Sequence, residues 1–177
     1  MEIRQATRND LREIAEIESI CFPLAEAASK EAIYERFEVF GENFLVATEG
    51  EKIVGFINGC TTDKLELPDE LYSDTSLHKP DGDYQTLFGL DVLPEYRRQG
   101  IAGELLRSLI DLSKKRGKKG MVLTCKDHLI KFYESNGFEY KGVSASCHGK
   151  AKWNDMILIF GYVSPLRDKY DIKTTTS

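Results

Sequence analysis

The sequence predicts a mixed α+β domain, with a central, mostly antiparallel sheet of about seven strands flanked by about four helices. Three observations predict it. The length of 177 residues suits about one domain. Segments of strand and helix periodicity follow in the order strand, two helices, three strands, helix, strand, helix, two strands. A strand–helix–strand crossover at the centre of that order adds a parallel pair to an otherwise antiparallel sheet.

Each element has a local reason. Residues around Ile3 begin a short strand. Thr7-Arg8-Asn9-Asp10 is a capping box with an acid in the usual Glu or Gln position. Leu11, Ile14, Ala15 and Ile17 then keep helical spacing up to Ile20, and Cys21-Phe22-Pro23 ends that helix. Ser29 caps a second helix carrying Ile33, Phe37 and Phe40, which Gly41 is expected to stop. Phe44–Thr48 and Ile53–Cys60 are strands joined by the turn Glu49-Gly50-Glu51-Lys52.

Residues 62–84 are polar and aperiodic, a length that marks a functional or mobile loop. Leu87–Val92 is the third strand. A helix from about Glu104 to Lys115 has the apolar stripe Leu105, Leu106, Leu109, Ile110 and Leu112. Gly120–Thr124 is a short strand. Asp127 caps a short helix through Phe132, Tyr133 and Ser135, and Asn136-Gly137 supplies a left-handed stop. Phe138–Val143 and Trp153–Tyr162 are the last two strands, and the tail after Ser164 is expected to fray.

Composition excludes several classes. The chain is 41% apolar and 30% charged, too apolar for disorder. Its formal charge of -5, with no long basic block, argues against nucleic acid as partner. No apolar run reaches the roughly 20 residues of a membrane span, and no signal-peptide core opens the chain, so no membrane partner and a cytoplasmic location are expected. The four cysteines form no Cys-x-x-Cys pair and are expected as reduced thiols. The three histidines show no ligand spacing, so no metal is expected.

The chemistry lies where the third strand runs into Arg97-Arg98-Gln99-Gly100-Ile101-Ala102-Gly103 and then a helix. A helix start exposes N–H groups with no internal partner, and the macrodipole makes that end attract anions. Gly100 lets backbone approach a ligand, Ala102 and Gly103 keep side chains out of the way, and Arg97 and Arg98 add positive charge. A ligand carrying a diphosphate fits this turn. The plainer alternative is a tight strand-to-helix turn with solvated arginines. The loop is neither a Walker A loop nor the usual dinucleotide fingerprint.

Arg97-Arg98-Gln99-Gly100-Ile101-Ala102 resembles the Arg/Gln-x-x-Gly-x-Gly/Ala signature of the GNAT N-acetyltransferase superfamily. Phe132-Tyr133-Glu134-Ser135-Asn136-Gly137-Phe138 resembles its Phe-Tyr-x-x-x-Gly-Phe block, in the right order and distance. The resemblance covers residues 1–162, leaving 163–177 as a C-terminal tail. Within the superfamily the chain is most similar to the arylalkylamine N-acetyltransferase branch. That likeness lies in Ile17–Pro23, Val54–Gly59, Val122–Asp127 and Trp153–Met156.

The resemblance implies acetyl-CoA as cosubstrate and a small-molecule primary amine as acceptor, joined by direct attack, in a monomer or homodimer. It implies that backbone of Leu90, Asp91 and Val92 pairs with the pantetheine arm, and that amides from Arg98 to Gly103 hold the pyrophosphate. It places Tyr133 near the thioester sulfur as the acid that protonates the departing thiolate. The branch's His-x-His relay falls here on Thr86 and Phe88, which accept no proton near neutral pH, so the general base stays open among Asp91, Glu18 and the acids of residues 63–74. Phe22, Pro23, Phe56, Phe88 and Trp153 are the candidate walls of the acceptor pocket. Two rival readings are a non-catalytic acyl-CoA sensor and an acetyltransferase acting on protein amines.

Overall fold

A computed structural model describes residues 1–161. The expected strand end at Tyr162 and the tail 163–177 lie outside the described residues. The chain opens with β1 (Glu2–Gln5). The Thr7 N–H donates to Asp10 Oδ2 at 2.7 Å, closing the acidic version of the capping box. Arg4 holds the same carboxylate with two N–H groups, at 2.7 and 2.9 Å. α1 (Leu11–Cys21) ends ahead of Phe22-Pro23. α2 (Lys30–Phe40) is capped by Ser29, whose Oγ accepts from the Ala32 N–H at 3.1 Å. Gly41 does not supply a left-handed stop. Its φ is -56°, and the chain tightens there into a 3-10 turn, Gly41–Asn43.

β2 (Leu45–Glu49) and β3 (Lys52–Asn58) form the expected hairpin. The long polar segment is more structured than its composition suggests. It contains β4 (Thr61–Thr62), the single turn α3 (Glu70–Ser73) and a 3-10 turn. The strand expected at Leu87–Val92 is two strands, β5 (Tyr84–Leu87) and β6 (Gly89–Val92), in different sheets. The register slips by one residue between Thr61↔Gln85 and Asn58↔Gly89, so this side of the ribbon carries an extra residue at the break. Gly59 sits opposite, where a Cβ would meet the Thr86 carbonyl oxygen at 1.9 Å, so only glycine fits.

α4 (Ile101–Lys115) starts three residues earlier than expected and buries Ile101, Leu105, Leu106, Leu109 and Ile110. Each such side chain contributes roughly 1.5–3 kcal/mol. β7 (Gly120–Cys125), α5 (Ile130–Ser135), β8 (Glu139–Val143) and β9 (Asn154–Ile159) follow, and Gly137 ends α5 with φ +94°.

The strands form two sheets, β1-β2-β3-β6 and β4-β5-β7-β9-β8, instead of one. β5 and β7 are the one parallel pair among the described strands. One core packs α4 and α5 against both sheets, and the other packs α1 and α2 on the opposite side. β7 pairs with β5 as far as Leu87↔Leu123. Past that point β6 leaves for the first sheet as its last strand, so the two sheets part and β6 shows one edge without a strand neighbour.

Candidate active site

The free edge of β6 is the centre of the site. Leu93 N donates to Val54 O at 2.9 Å, and hydrogen-bonded pairs alternate along an antiparallel ladder. Asp91 is therefore turned toward β3 through its backbone, while the N–H and C=O groups of Leu90 and Val92 face the cleft. The Val92 carbonyl confirms the direction, since it accepts from Arg97 Nε at 2.9 Å on that side.

Beyond β6 the backbone alternates in hand. Arg98 has φ +60° and Gly100 φ +82°. Such alternation, followed by a helix start, gathers N–H groups into an anion-binding hollow. Nothing lies within 4 Å of where a Gly100 Cβ would stand, so the approach is open. A cavity of about 570 Å³ runs along this turn. Leu90, Asp91, Val92, Arg97, Arg98 and Gly100–Gly103 line it, together with Pro23 and Phe132. Gln99 is exposed and lines neither this cavity nor the next. Lys126 and His128 also line it, a contribution from the β7–α5 turn that periodicity did not reveal.

A second cavity, of about 500 Å³, adjoins the first. Phe22, Leu90, Leu129 and Trp153 belong to both. Tyr133 and Phe88 line the second cavity only. Tyr133 is 4% exposed, and its hydroxyl has no hydrogen-bond partner among the described residues. Burial pushes its phenol far above the ordinary tyrosine range, so it keeps its proton through neutral and mildly alkaline pH. Phe56 is not brought here. It is fully buried in the core that also holds Ile14, Ile17 and Phe40, and it lines neither cavity.

The second cavity has walls the sequence did not disclose. Tyr72, on α3, hydrogen-bonds Thr124 Oγ1 through its hydroxyl at 3.0 Å, and burial raises its phenol to about 12. His148 stacks on Tyr72 at 5.2 Å and is held by a ring nitrogen 3.1 Å from Glu26 O. Trp153 Nε1 donates to His148 O at 2.8 Å. Arg36 donates to Tyr72 O at 2.9 Å and lies 4.9 Å over the Phe88 ring. Thr86, by contrast, is fully buried and donates to Cys60 O at 3.1 Å. One position of the branch's relay is thus a structural hydroxyl and the other an aromatic wall.

The acetyltransferase (GNAT) family model matches residues 11–138, most of the described chain. The chain belongs to that family. Serotonin N-acetyltransferase from Mesocricetus auratus is 34% identical over 109 residues, 61% of this chain and 51% of that one. This fits the resemblance to the arylalkylamine branch, although the chain spans about half the length of that curated relative. Among solved structures, a GNAT-like decarboxylase, GphF, in complex with isobutyryl-CoA has a TM-score of 0.77 at 20% identity, over 90% of this chain and 99% of that one. A GNAT acetyltransferase from Brucella melitensis in complex with acetyl-CoA has a TM-score of 0.59 at 20% identity, over 93% and 90%. These structures share the GNAT fold with this chain.

Among the described residues no group of three His, Cys, Asp or Glu side chains is placed to hold a metal ion, and no helix is long and apolar enough to cross a membrane. Cys21, Cys60, Cys125 and Cys147 are free thiols.

Proposed function

We propose that this GNAT chain transfers an acetyl group from acetyl-CoA to a primary amine of a small molecule, with residues 1–162 as its catalytic domain. One observation carries the reading: the free edge of β6 links the N–H hollow before α4 to the cavity lined by Tyr133. A pantetheine arm laid along that edge pairs with Leu90 and Val92 as an added strand. The diphosphate then meets the amides of Arg98–Gly103. The acyl end reaches the place where the two cavities join, between Leu90 and Leu129.

The chemistry follows from this placement. A neutral amine in the second cavity attacks the thioester carbonyl. An alkylammonium with a pKa near ~10.4 costs roughly 4–5 kcal/mol to deprotonate at pH 7, so a proton acceptor is required. The Leu90 N–H, unpaired on the free edge, is placed to meet the developing oxyanion. The Tyr133 hydroxyl, protonated and without another partner, donates to the departing thiolate. Aromatic walls from Phe22, Phe88, Tyr72 and Trp153 suit a small acceptor better than a protein segment. The free thiols, with Cys147 exposed, suit a reducing cytoplasmic setting.

The test is thiol release from acetyl-CoA with arylalkylamines, alkylamines, polyamines and lysine peptides. Turnover with a small amine is expected. Acetyl-CoA binding without turnover across the panel would favour the sensor reading.

A further inference from the structure

Two buried carboxyls between the cavities, both candidates for the general base, are still without an assigned role. Glu18, on α1, is 5% exposed and Asp91, on β6, 2%. Glu18 Oε1 accepts from the Ala28 N–H at 2.9 Å, but Oε2 has no partner. Both Asp91 oxygens and both amide atoms of Asn58 are likewise unpartnered. All three groups converge on one point. A methyl placed on Gly89 would touch Glu18 Oε2 at 3.4 Å, Asn58 Nδ2 at 3.5 Å and Asp91 Oδ1 at 3.5 Å. Glu18 lines the second cavity and Asp91 the first. Leaving buried carboxylates unpaired is costly, and two close together cannot both stay ionised cheaply. A single proton shared between them resolves this, because the protonated Asp91 carboxyl then hydrogen-bonds Glu18.

We propose that Glu18 and Asp91 act as one proton-holding unit, the general base that takes the proton from the incoming ammonium. This rests on the transferase reading above. The ammonium enters beside Glu18 and gives one proton to the doubly ionised pair, which holds it between the two carboxyls. The neutral nitrogen forms the C–N bond. The adduct breaks its C–S bond, its second nitrogen proton passes by way of the Tyr133 hydroxyl to the thiolate sulfur, and the pair releases its proton to solvent. Ammonium and acetyl-CoA thereby become acetamide, CoA thiol and one proton.

The surroundings tune the pair in both directions. Burial and the Glu18 carboxyl raise Asp91 well above the usual carboxylate range, Cys21 adds to that, and Arg97 opposes it. Arg36, on α2, faces Glu18, and Tyr133, on α5, feels Asp91. A carboxyl pair that binds its proton more tightly than an ordinary carboxylate is a better match to an amine. The second ionisation belongs to the pair and not to either residue alone.

The test uses Glu18→Gln, Asp91→Asn and the double variant. Each single change is expected to lower kcat/KM about 10²–10⁴-fold. The double variant should cost little more than either, because the unit fails as a whole. Asp91→Asn removes the ionisation that the two carboxyls share, so the acidic limb of kcat/KM changes position. Infrared spectra of the free enzyme should show a protonated carboxyl band that fades as pH rises through the acidic limb of kcat/KM, where the pair becomes the doubly ionised base, and that Asp91→Asn removes. Acetyl-CoA affinity and melting temperature identify any variant that fails to fold. An unchanged acidic limb, or no such band in the wild type, overturns the proposal. If the band is present but no amine is acetylated, the transferase reading fails instead.

Discussion

Arg97 donates from Nε to the Val92 carbonyl at 2.9 Å, tying the start of the anion-binding turn back to the strand it leaves. That bond commits Arg97 to shaping the turn. It leaves Arg98, exposed and held at φ +60°, as the arginine free to meet a diphosphate.

Arg98→Gly and Gly100→Ala should therefore separate stability from binding. A side chain at positive φ costs roughly 1–2 kcal/mol. Arg98→Gly removes that strain and is expected to leave the melting temperature unchanged or higher, while raising the Kd for acetyl-CoA and weakening its salt dependence. Gly100→Ala introduces the strain and should lower both melting temperature and affinity. Thermal melts and calorimetry at two salt concentrations check both.

Tyr133→Phe removes only a hydroxyl that has no partner among the described residues. We expect kcat to fall about 10²-fold or more, within the usual range for a general acid, with acetyl-CoA affinity unchanged. Burial holds the phenol protonated well past neutrality. The alkaline limb of wild-type kcat should therefore not report Tyr133, and Tyr133→Phe should leave its position unmoved.

Phe88 and Phe56 offer a contrast between cavity wall and core. Phe88 lines the second cavity, so Phe88→Ala should raise the amine KM several-fold with little change in acetyl-CoA affinity. Phe56 is fully buried in the core, so Phe56→Ala should cost about 3–5 kcal/mol of stability, seen as a lower denaturation midpoint.

Asp10 links α1 to β1 through Arg4 and the Thr7 cap, and these partners hold its carboxyl down to about 2. A carboxyl depressed in the folded state adds stability that is complete above its unfolded value, near ~3.9, and is lost as pH falls through the folded value. Asp10→Asn should lower the melting temperature at neutral pH, by an amount equivalent to about 1 kcal/mol for the lost ion pair with Arg4. The gap to the wild type should close between about pH 4 and pH 2.

Much of this was legible in the residues. Thr7-Arg8-Asn9-Asp10, Ser29 and Asn136-Gly137 act locally, and the structure has them where local chemistry puts them. The stripe of α4 and the turn before it were equally readable, because spacing and glycine carry that information. The split at Phe88 was not. Leu87–Val92 reads as one strand, and nothing in it tells that Gly59, far away in sequence, needs the Thr86 backbone pressed against it. The acceptor walls were hidden for a similar reason. Tyr72 and His148 lie in polar segments without periodicity, and they face one cavity only because α3 and the turn at His148–Lys150 meet across the sheet. Phe56 shows the converse: an aromatic residue in a motif-like strand turned out to be core.

The free edge of β6 and the turn after it are the centre of the account, and amide hydrogen exchange on adding acetyl-CoA tests them most directly. Exchange should slow at the Leu90 amide and across Arg98–Gly103, with β8 unaffected. Protection elsewhere, with that edge and turn exchanging as freely as before, would contradict it.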